Sequence, residues 1–418
     1  MQQAGHYRWR ICGLLFFATT INYIDRQVIS ILAPQLQDIF QWTEKDYGYI
    51  IMSFQIAYAL GLLITGRFLD KLGVRIGYSI AVGIWSLAAS AHALASSVIG
   101  FAAARFGLAL GESANFPAAI KTVSEWFPKK DRAFATGLFN SGSTIGAILA
   151  PLLIPWLAIH WGWQWAFIIT GLLGIIWLVC WLPFYRNPRA TKGLSAVELD
   201  YIESDREPEV TVTIPWSKLL TYRQTVGICL GRFVTDPIWW FFLYWLPKYL
   251  SAGHGIDLQA IGLPLIIIYA VSSMGGIGGG WLSSQFIRKG KSIDTARKMS
   301  ILIVALMVVP IFSLAYFSNL WLAVTLISLA AAAHQGWASN IFTVVSDIYP
   351  KNLVGSMTGL AGFSGAIGGI VFSPFIGFIL DTTHSYHLVF IIASCAYLLA
   401  WVFLKIFIPK IEPLKINL

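Results

Sequence analysis

Asn22-Tyr23-Ile24-Asp25-Arg26 interrupts a run, residues 11–36, that otherwise reads as one membrane-spanning helix. About 20 apolar residues suffice to cross the hydrocarbon core of a bilayer. A carboxylate and a guanidinium in the middle of such a run each cost about 2.5–3.5 kcal/mol on insertion scales. Residues of this kind face a bundle interior or a wet cavity and mark pathways for ions or substrates. The plainer reading is an adjacent ion pair that snorkels to the surface. Sequence neighbours do not share a helix face, so Asp25 and Arg26 are expected to serve different partners.

The surrounding chain agrees with a bilayer as solvent. Of its 418 residues 57% are apolar and only 12% charged, against about 25% charged in soluble domains. The net charge of +9 would suit a nucleic acid. The basic residues, however, lie in short loops between apolar runs, where topology signals lie, and no nucleic-acid partner is expected. Cys12, Cys180, Cys229 and Cys395 fall in or beside apolar runs without metal spacing. They read as packing residues, with no disulfide framework and no metal site. No Ser/His/Asp, zinc or haem constellation is present, so neither an enzyme nor a cofactor is expected. The first apolar run is too long for a cleavable signal and has no small-residue cleavage site; it is expected to stay as the first span.

Hydropathy divides the chain into twelve spans: 11–36, 47–69, 77–96, 98–121, 132–157, 163–184, 224–249, 260–287, 297–317, 320–346, 353–380 and 386–408. With the N-terminus in the cytoplasm, the inside segments hold 23 of the 29 basic residues and the outside loops only Lys45 and Lys248. The positive-inside rule then places both termini in the cytoplasm. The long polar segment 185–223 separates an N-terminal bundle, 1–184, from a C-terminal one, 224–418. It is expected to form a short amphipathic helix and an extended piece at Pro208 and Pro215, with a plain linker as the default role. An internal repeat supports the division. Val123-Ser124-Glu125-Trp126-Phe127-Pro128-Lys129 returns 222 residues later as Val345-Ser346-Asp347-Ile348-Tyr349-Pro350-Lys351, and Ile145-Gly146 returns as Ile367-Gly368. Over 24 ungapped positions nine are identical. Two parallel six-helix repeats are a transporter architecture.

Between spans two and three stands Gly66-Arg67-Phe68-Leu69-Asp70-Lys71-Leu72-Gly73-Val74-Arg75. It resembles the major facilitator signature G-x-x-x-D-[RK]-x-G-x-[RK]. That resemblance implies an all-α fold of twelve transmembrane helices in two pseudo-symmetric bundles, and a conformational latch at Gly66, Asp70, Lys71, Gly73 and Arg75. The second-half counterpart, Arg288-Lys289-Gly290-Lys291, lacks the acid. Tyr23-Ile24-Asp25-Arg26 and the Arg105-x6-Glu112 spacing, followed by Asn115-Phe116-Pro117, resemble the anion:cation symporter group. Thr235-Asp236-Pro237-Ile238-Trp239-Trp240 and Ala333-His334-Gln335-Gly336-Trp337-Ala338-Ser339-Asn340 look most like the bacterial hexuronate transporters. The resemblance runs over nearly the whole chain and implies a bacterial inner (plasma) membrane protein.

Arg26 is the leading substrate anchor, since a guanidinium can grip a carboxylate through two parallel hydrogen bonds. Asn22 and Tyr23, four and three residues earlier, share its face. Tyr58 matches a further substrate contact of the family, with Gln55 one turn away; Tyr58 as packing stays open. The resemblance implies that Asp25 and Glu112 form the proton-coupling pair. A static buried ion pair is the alternative for Glu112. Arg105, about 10.5 Å from Glu112 along the helix axis, pairs with Asp25 across helices or reaches Glu112 in one state only. In the second half, Trp239 or Trp240 can stack on a sugar ring. His334, at the repeat offset from Glu112, and Gln335 and Asn340 are candidate hydroxyl partners, as is Asn140 in the first half. For His334 an interhelical bond is an equal reading. Arg232 and Asp236, four apart, are expected to pair with each other.

These readings give a proton-coupled symporter of an anionic sugar acid, with hexuronate expected, working by alternating access as a monomer. The rivals are a symporter of an aldonate, aldarate or other organic anion, a sugar-acid sensor that does not transport, and an uncoupled facilitator of neutral sugars. The loop 185–223 holds no folded output domain, which argues against the sensor. Four costly intramembrane charges argue against the facilitator.

Overall fold

In a bilayer core a backbone N–H or C=O finds no water, so spanning segments bond internally as helices or closed barrels. The computed structural model describes residues 6–204, 216–257, 260–317, 319–349 and 351–414, and every regular element among them is helical. The chain divides into two compact units, Met1–Leu32 with Ser53–Val210, and Ala33–Met52 with Thr211–Leu418.

The first unit draws on α1 (Tyr7–Phe40), α2 (Glu44–Ala91), α3 (Val98–Glu112), α4 (Asn115–Trp126), α5 (Lys129–Trp161), α6 (Trp163–Phe184) and α7 (Ala196–Glu203). The second holds α8 (Trp216–Leu219), α9 (Arg223–Tyr244), α10 (Leu246–His254), α11 (Gly262–Arg288), α12 (Ile293–Val308), α13 (Leu320–Ile348), α14 (Lys351–Thr383) and α15 (His387–Phe407), together with the outer end of α1 and the first turns of α2. There Asp381 on α14 accepts from the Glu44 and Lys45 amides, capping the start of α2 from a distant helix, and Glu44 pairs with Lys248. The expected extended piece at Pro208 and Pro215 lies outside the described residues.

Ten helical stretches among the described residues are long and apolar enough to cross a membrane. The two expected spans missing from that set carry Asp25, Arg26, Arg105 and Glu112. Span one lies within α1, whose polar middle lowers its hydropathy. Span four is broken after Glu112, at Ser113 and Ala114, into α3 and α4. Pro117 explains the break: it has no N–H to offer the Ser113 carbonyl, and its ring crowds that oxygen. Glu112 therefore ends a helix instead of lying inside one. Spans two and three are joined through Gly73, whose φ of 74° and ψ of 159° turn the chain inside α2. Lys71 and Arg75 are exposed beside it, and Arg75 Nη2 donates to the Leu182 carbonyl at 2.7 Å. Gly66 has open space around it. The Asp70 side chain lies outside the described residues.

The repeat acquires a physical meaning in the packing. Gly146 on α5 lies against α1, and an added Cβ would stand 2.4 Å from the Thr20 carbonyl oxygen. Gly368 on α14 lies against α9, and its Cβ would stand 2.1 Å from the Phe233 oxygen. That oxygen is the one Pro237 leaves without a helical donor. In each unit the same repeat position thus lets the fifth span approach the first, which is the close backbone contact that small residues permit in membranes.

Alanine at either glycine gains helix propensity of up to about 1 kcal/mol but forces overpacking worth about 1–3 kcal/mol. Gly146→Ala and Gly368→Ala are expected to lower the thermal unfolding midpoint in detergent. Gly137→Ala, on the same helix as Gly146 but with nothing within 4 Å, is expected to leave it unchanged or raise it.

Candidate functional site

The centre of the first unit is one buried ion pair. Arg26 Nε and Nη2 both donate to Glu112 Oε2, at 3.0 and 2.8 Å, and the two side chains are 4% and 0% exposed. Helix geometry brings the pair's neighbours to the same place. Asn22, one turn earlier on α1, accepts from Arg26 Nη2 at 3.4 Å, and the Tyr23 ring lies 5.0 Å from the guanidinium carbon. From α2 come Phe54 and Tyr58, four apart and stacked at 5.8 Å, whose rings lie 5.2 and 5.1 Å from the same carbon. A cation over ring faces is attracted by their quadrupole, so three aromatic rings hold the guanidinium while one carboxylate neutralises it. Gln55 is buried on the same helix.

Arg105, fully buried on α3, donates from Nη2 to the Arg26 carbonyl at 3.3 Å, and its guanidinium lies 4.5 Å from the Phe54 ring. It thereby fixes the backbone that carries Arg26. Asp25 turns to another face, as its position next to Arg26 requires. Its surroundings are Thr170 on α6, Glu112 and Arg105, yet neither carboxyl oxygen makes a well-formed hydrogen bond among the described residues. Glu112 likewise leaves Oε1 without one. Asn140, on α5, is exposed.

The second unit has a smaller polar cluster. Arg232 and Asp236 pair along α9 at 2.8 Å. Gly365 makes room for that carboxylate, since a Cβ there would stand 1.9 Å from Asp236 Oδ2. His334 stacks flat on Trp239, 4.9 Å apart and 5° from parallel, and its Nδ1 lies 2.7 Å from the Tyr397 hydroxyl. The structure thus gives His334 an interhelical partner. Trp240 stacks on Tyr244 at 5.7 Å. Asn340 is engaged in packing: its Nδ2 donates to Gly279 and Gly336 carbonyls, knitting α13 to α11. Gln335 is half-buried near Gly276.

Three participants escaped the sequence reading. Phe54 reads as one more apolar residue, although its place one turn before Tyr58 puts both on one face. Thr170 and Tyr397 come from the sixth and last spans, and nothing local marks them.

Comparison with known proteins places the chain in a family. Residues 15–372 and 290–417 match the family model described as Major Facilitator Superfamily. The chain is 34% identical over 387 residues to the hexuronate transporter of Escherichia coli strain K12, covering 91% of this chain and 90% of that one. It is 32% identical over 387 residues to the D-galactonate transporter of Escherichia coli O6:H1, covering 90% of each. Its fold is similar to the crystal structure of a D-xylose–proton symporter, with a TM-score of 0.76 at 17% identity, over 98% of this chain and 100% of that one.

Removing one member of a buried ion pair strands the other, at a cost of about 3–5 kcal/mol, whereas replacing both with apolar groups is far cheaper. Glu112→Leu is therefore expected to melt at a lower temperature in detergent than the double variant Arg26→Met, Glu112→Leu. The reverse order would show that Arg26 and Glu112 do not depend on each other.

Proposed function

As the chain belongs to the Major Facilitator Superfamily, whose members here are transporters and not enzymes, we propose that it is a proton-coupled symporter of a sugar acid, with a hexuronate such as glucuronate or galacturonate as substrate. The single observation that carries this reading is the Arg26–Glu112 pair. One guanidinium is held by one oxygen of one carboxylate, with the rings of Tyr23, Phe54 and Tyr58 around it.

The coupling follows from competition. A substrate carboxylate can engage Arg26 through two oxygens, but only if Glu112 lets go. A proton on Glu112 removes its charge and releases the guanidinium. Without that proton, two carboxylates would compete for one cation. Asp25 is the second proton carrier. Its oxygens lack a bonded cation, and a bare buried carboxylate is costly. Arg105 faces both acids and holds the Arg26 backbone. Protonation of Glu112 then exchanges one internal neutral pair, Arg26 with Glu112, for another, Arg26 with the substrate.

Asn22, Gln55 and Asn140 supply amide groups to the substrate in the first unit. Trp239, Trp240, His334 and Gln335 offer aromatic faces and polar edges in the second, and Asn340 offers only its carbonyl. The reading includes two six-helix halves joined by the segment 185–223, both termini in the cytoplasm, a plasma-membrane location and a monomer. The cytoplasmic turn at Gly66, Asp70, Lys71, Gly73 and Arg75 acts as the latch. The 32% identity to a D-galactonate transporter favours an aldonate as the second substrate reading.

The test is uptake of labelled D-glucuronate into proteoliposomes, with and without an inward proton gradient. The wild type is expected to accumulate substrate only with the gradient. Glu112→Gln is expected to lose gradient-driven accumulation, by tenfold or more, and to keep exchange. Accumulation unaffected by Glu112→Gln would remove that residue from the coupling. Transport of galactonate in place of glucuronate would favour the aldonate reading.

A further inference from the structure

The segment between the two halves does more than connect them. Ser195 caps α7, its Oγ accepting from the Glu198 amide at 3.2 Å. Ser-x-x-Glu is the capping-box pattern, in which the glutamate normally reaches back to its own helix start. Here Glu198 turns away. Its Oε2 accepts from the Tyr7 amide and its Oε1 from the Arg8 amide, each at 3.2 Å, and its side chain is 2% exposed. Arg8 Nη1 completes the contact at 3.1 Å.

These are the first amides of α1, the helix that carries Asn22, Tyr23, Asp25 and Arg26. Its first turn contains no acidic residue. A helix start leaves four N–H groups without internal partners and carries a partial positive charge. Glu198 answers both from a position 190 residues away. One turn along α7, the Tyr201 ring lies 4.7 Å from the Arg8 guanidinium carbon, and its hydroxyl donates to Asp131 Oδ2 at 2.9 Å in the first turn of α5. Glu198 and Tyr201, three apart and so on one face, thus grip the starts of α1 and α5 together.

Those two helices then stay in contact towards the site. Cys12 Sγ donates to the Ala135 carbonyl at 3.5 Å. Gly142 approaches the Phe16 carbonyl, and Gly146 approaches both Thr20 and the Cβ of Tyr23. Tyr23 touches Arg26. At 1.5 Å per residue, a slip of α1 by even one residue would carry Arg26 about 1.5 Å past Glu112, beyond the range of a good hydrogen bond.

We propose that Glu198 is a positioning residue for transport: α7 is a strap that caps α1, fixes its register against α5 and so sets the place of Arg26. This rests on the reading that Arg26 takes the substrate. It separates from a plain ion-pair role because two of the three contacts are to backbone amides. Arg8→Ala leaves both amide bonds, Glu198→Gln keeps one acceptor oxygen, and Glu198→Ala removes both.

The experiment uses the full chain, with hydrogen exchange at the Tyr7 and Arg8 amides in detergent and sugar-acid counterflow in proteoliposomes. Exchange is expected to quicken in the order Arg8→Ala, Glu198→Gln, Glu198→Ala, by tenfold or more in the last. The half-saturating sugar-acid concentration is expected to rise in the same order, at least threefold in Glu198→Ala, with the yield of folded protein unchanged. Exchange unmoved in Glu198→Ala would overturn the cap. Faster exchange with an unchanged half-saturating concentration would leave α7 a structural brace and overturn the positioning role. A wild type that carries no sugar acid would sink the functional reading and this inference with it, whereas equal kinetics in wild type and Glu198→Ala would sink this inference alone.

Discussion

The first unit is arranged about a charge that cannot be left alone. Arg26 keeps its guanidinium protonated wherever it lies, and in the middle of an apolar helix it needs a counter-charge. Glu112 supplies one, Asn22 accepts a further hydrogen bond, and three ring faces surround the rest. Each supporting feature follows from that need. The break before α4 puts Glu112 at a helix end. Arg105 holds the carbonyl of the residue it must not disturb. A pair of this kind adds little to stability by itself, and its persistence here fits a role in which one partner is exchanged for another.

The helices that carry these groups are positioned by backbone contact more than by side-chain volume. Apolar lipid gives helices no hydrophobic reason to associate, so close approach through small residues and interhelical hydrogen bonds takes over. Gly146 and Gly368 do this at equivalent positions of the repeat, and Asn340 adds a side-chain bond to the Gly279 carbonyl between α13 and α11. The strap at Glu198 belongs to the same scheme. It uses a carboxylate where the helix start offers amides.

Much of this was legible in the sequence because the forces involved are local or periodic. Hydropathy marks the spans, the 222-residue offset marks the repeat, and the i−3 and i−4 positions place Tyr23 and Asn22 beside Arg26. The faces of Asp25 and Arg26 follow from helix geometry alone. What could not be read depends on distant segments. Phe54 carries no polar atom to single it out. Tyr397 becomes the partner of His334, and Thr170 a neighbour of Asp25, only when the last and sixth spans pack. The Ser195–Glu198 spacing reads as a helix capping itself, and only the fold reveals that the glutamate serves α1. The break in span four follows from Pro117, which in the sequence stands inside one long apolar run.

The competition between Glu112 and a substrate carboxylate for Arg26 makes one demand that can be measured at equilibrium. Sugar-acid binding to the purified protein should take up a proton near neutral pH, seen by calorimetry as a binding heat that varies with the ionisation heat of the buffer. The account predicts an uptake close to one proton in the wild type and a clear fall in Glu112→Gln, with binding retained. Binding with no proton uptake, or with the same uptake in both proteins, would contradict it.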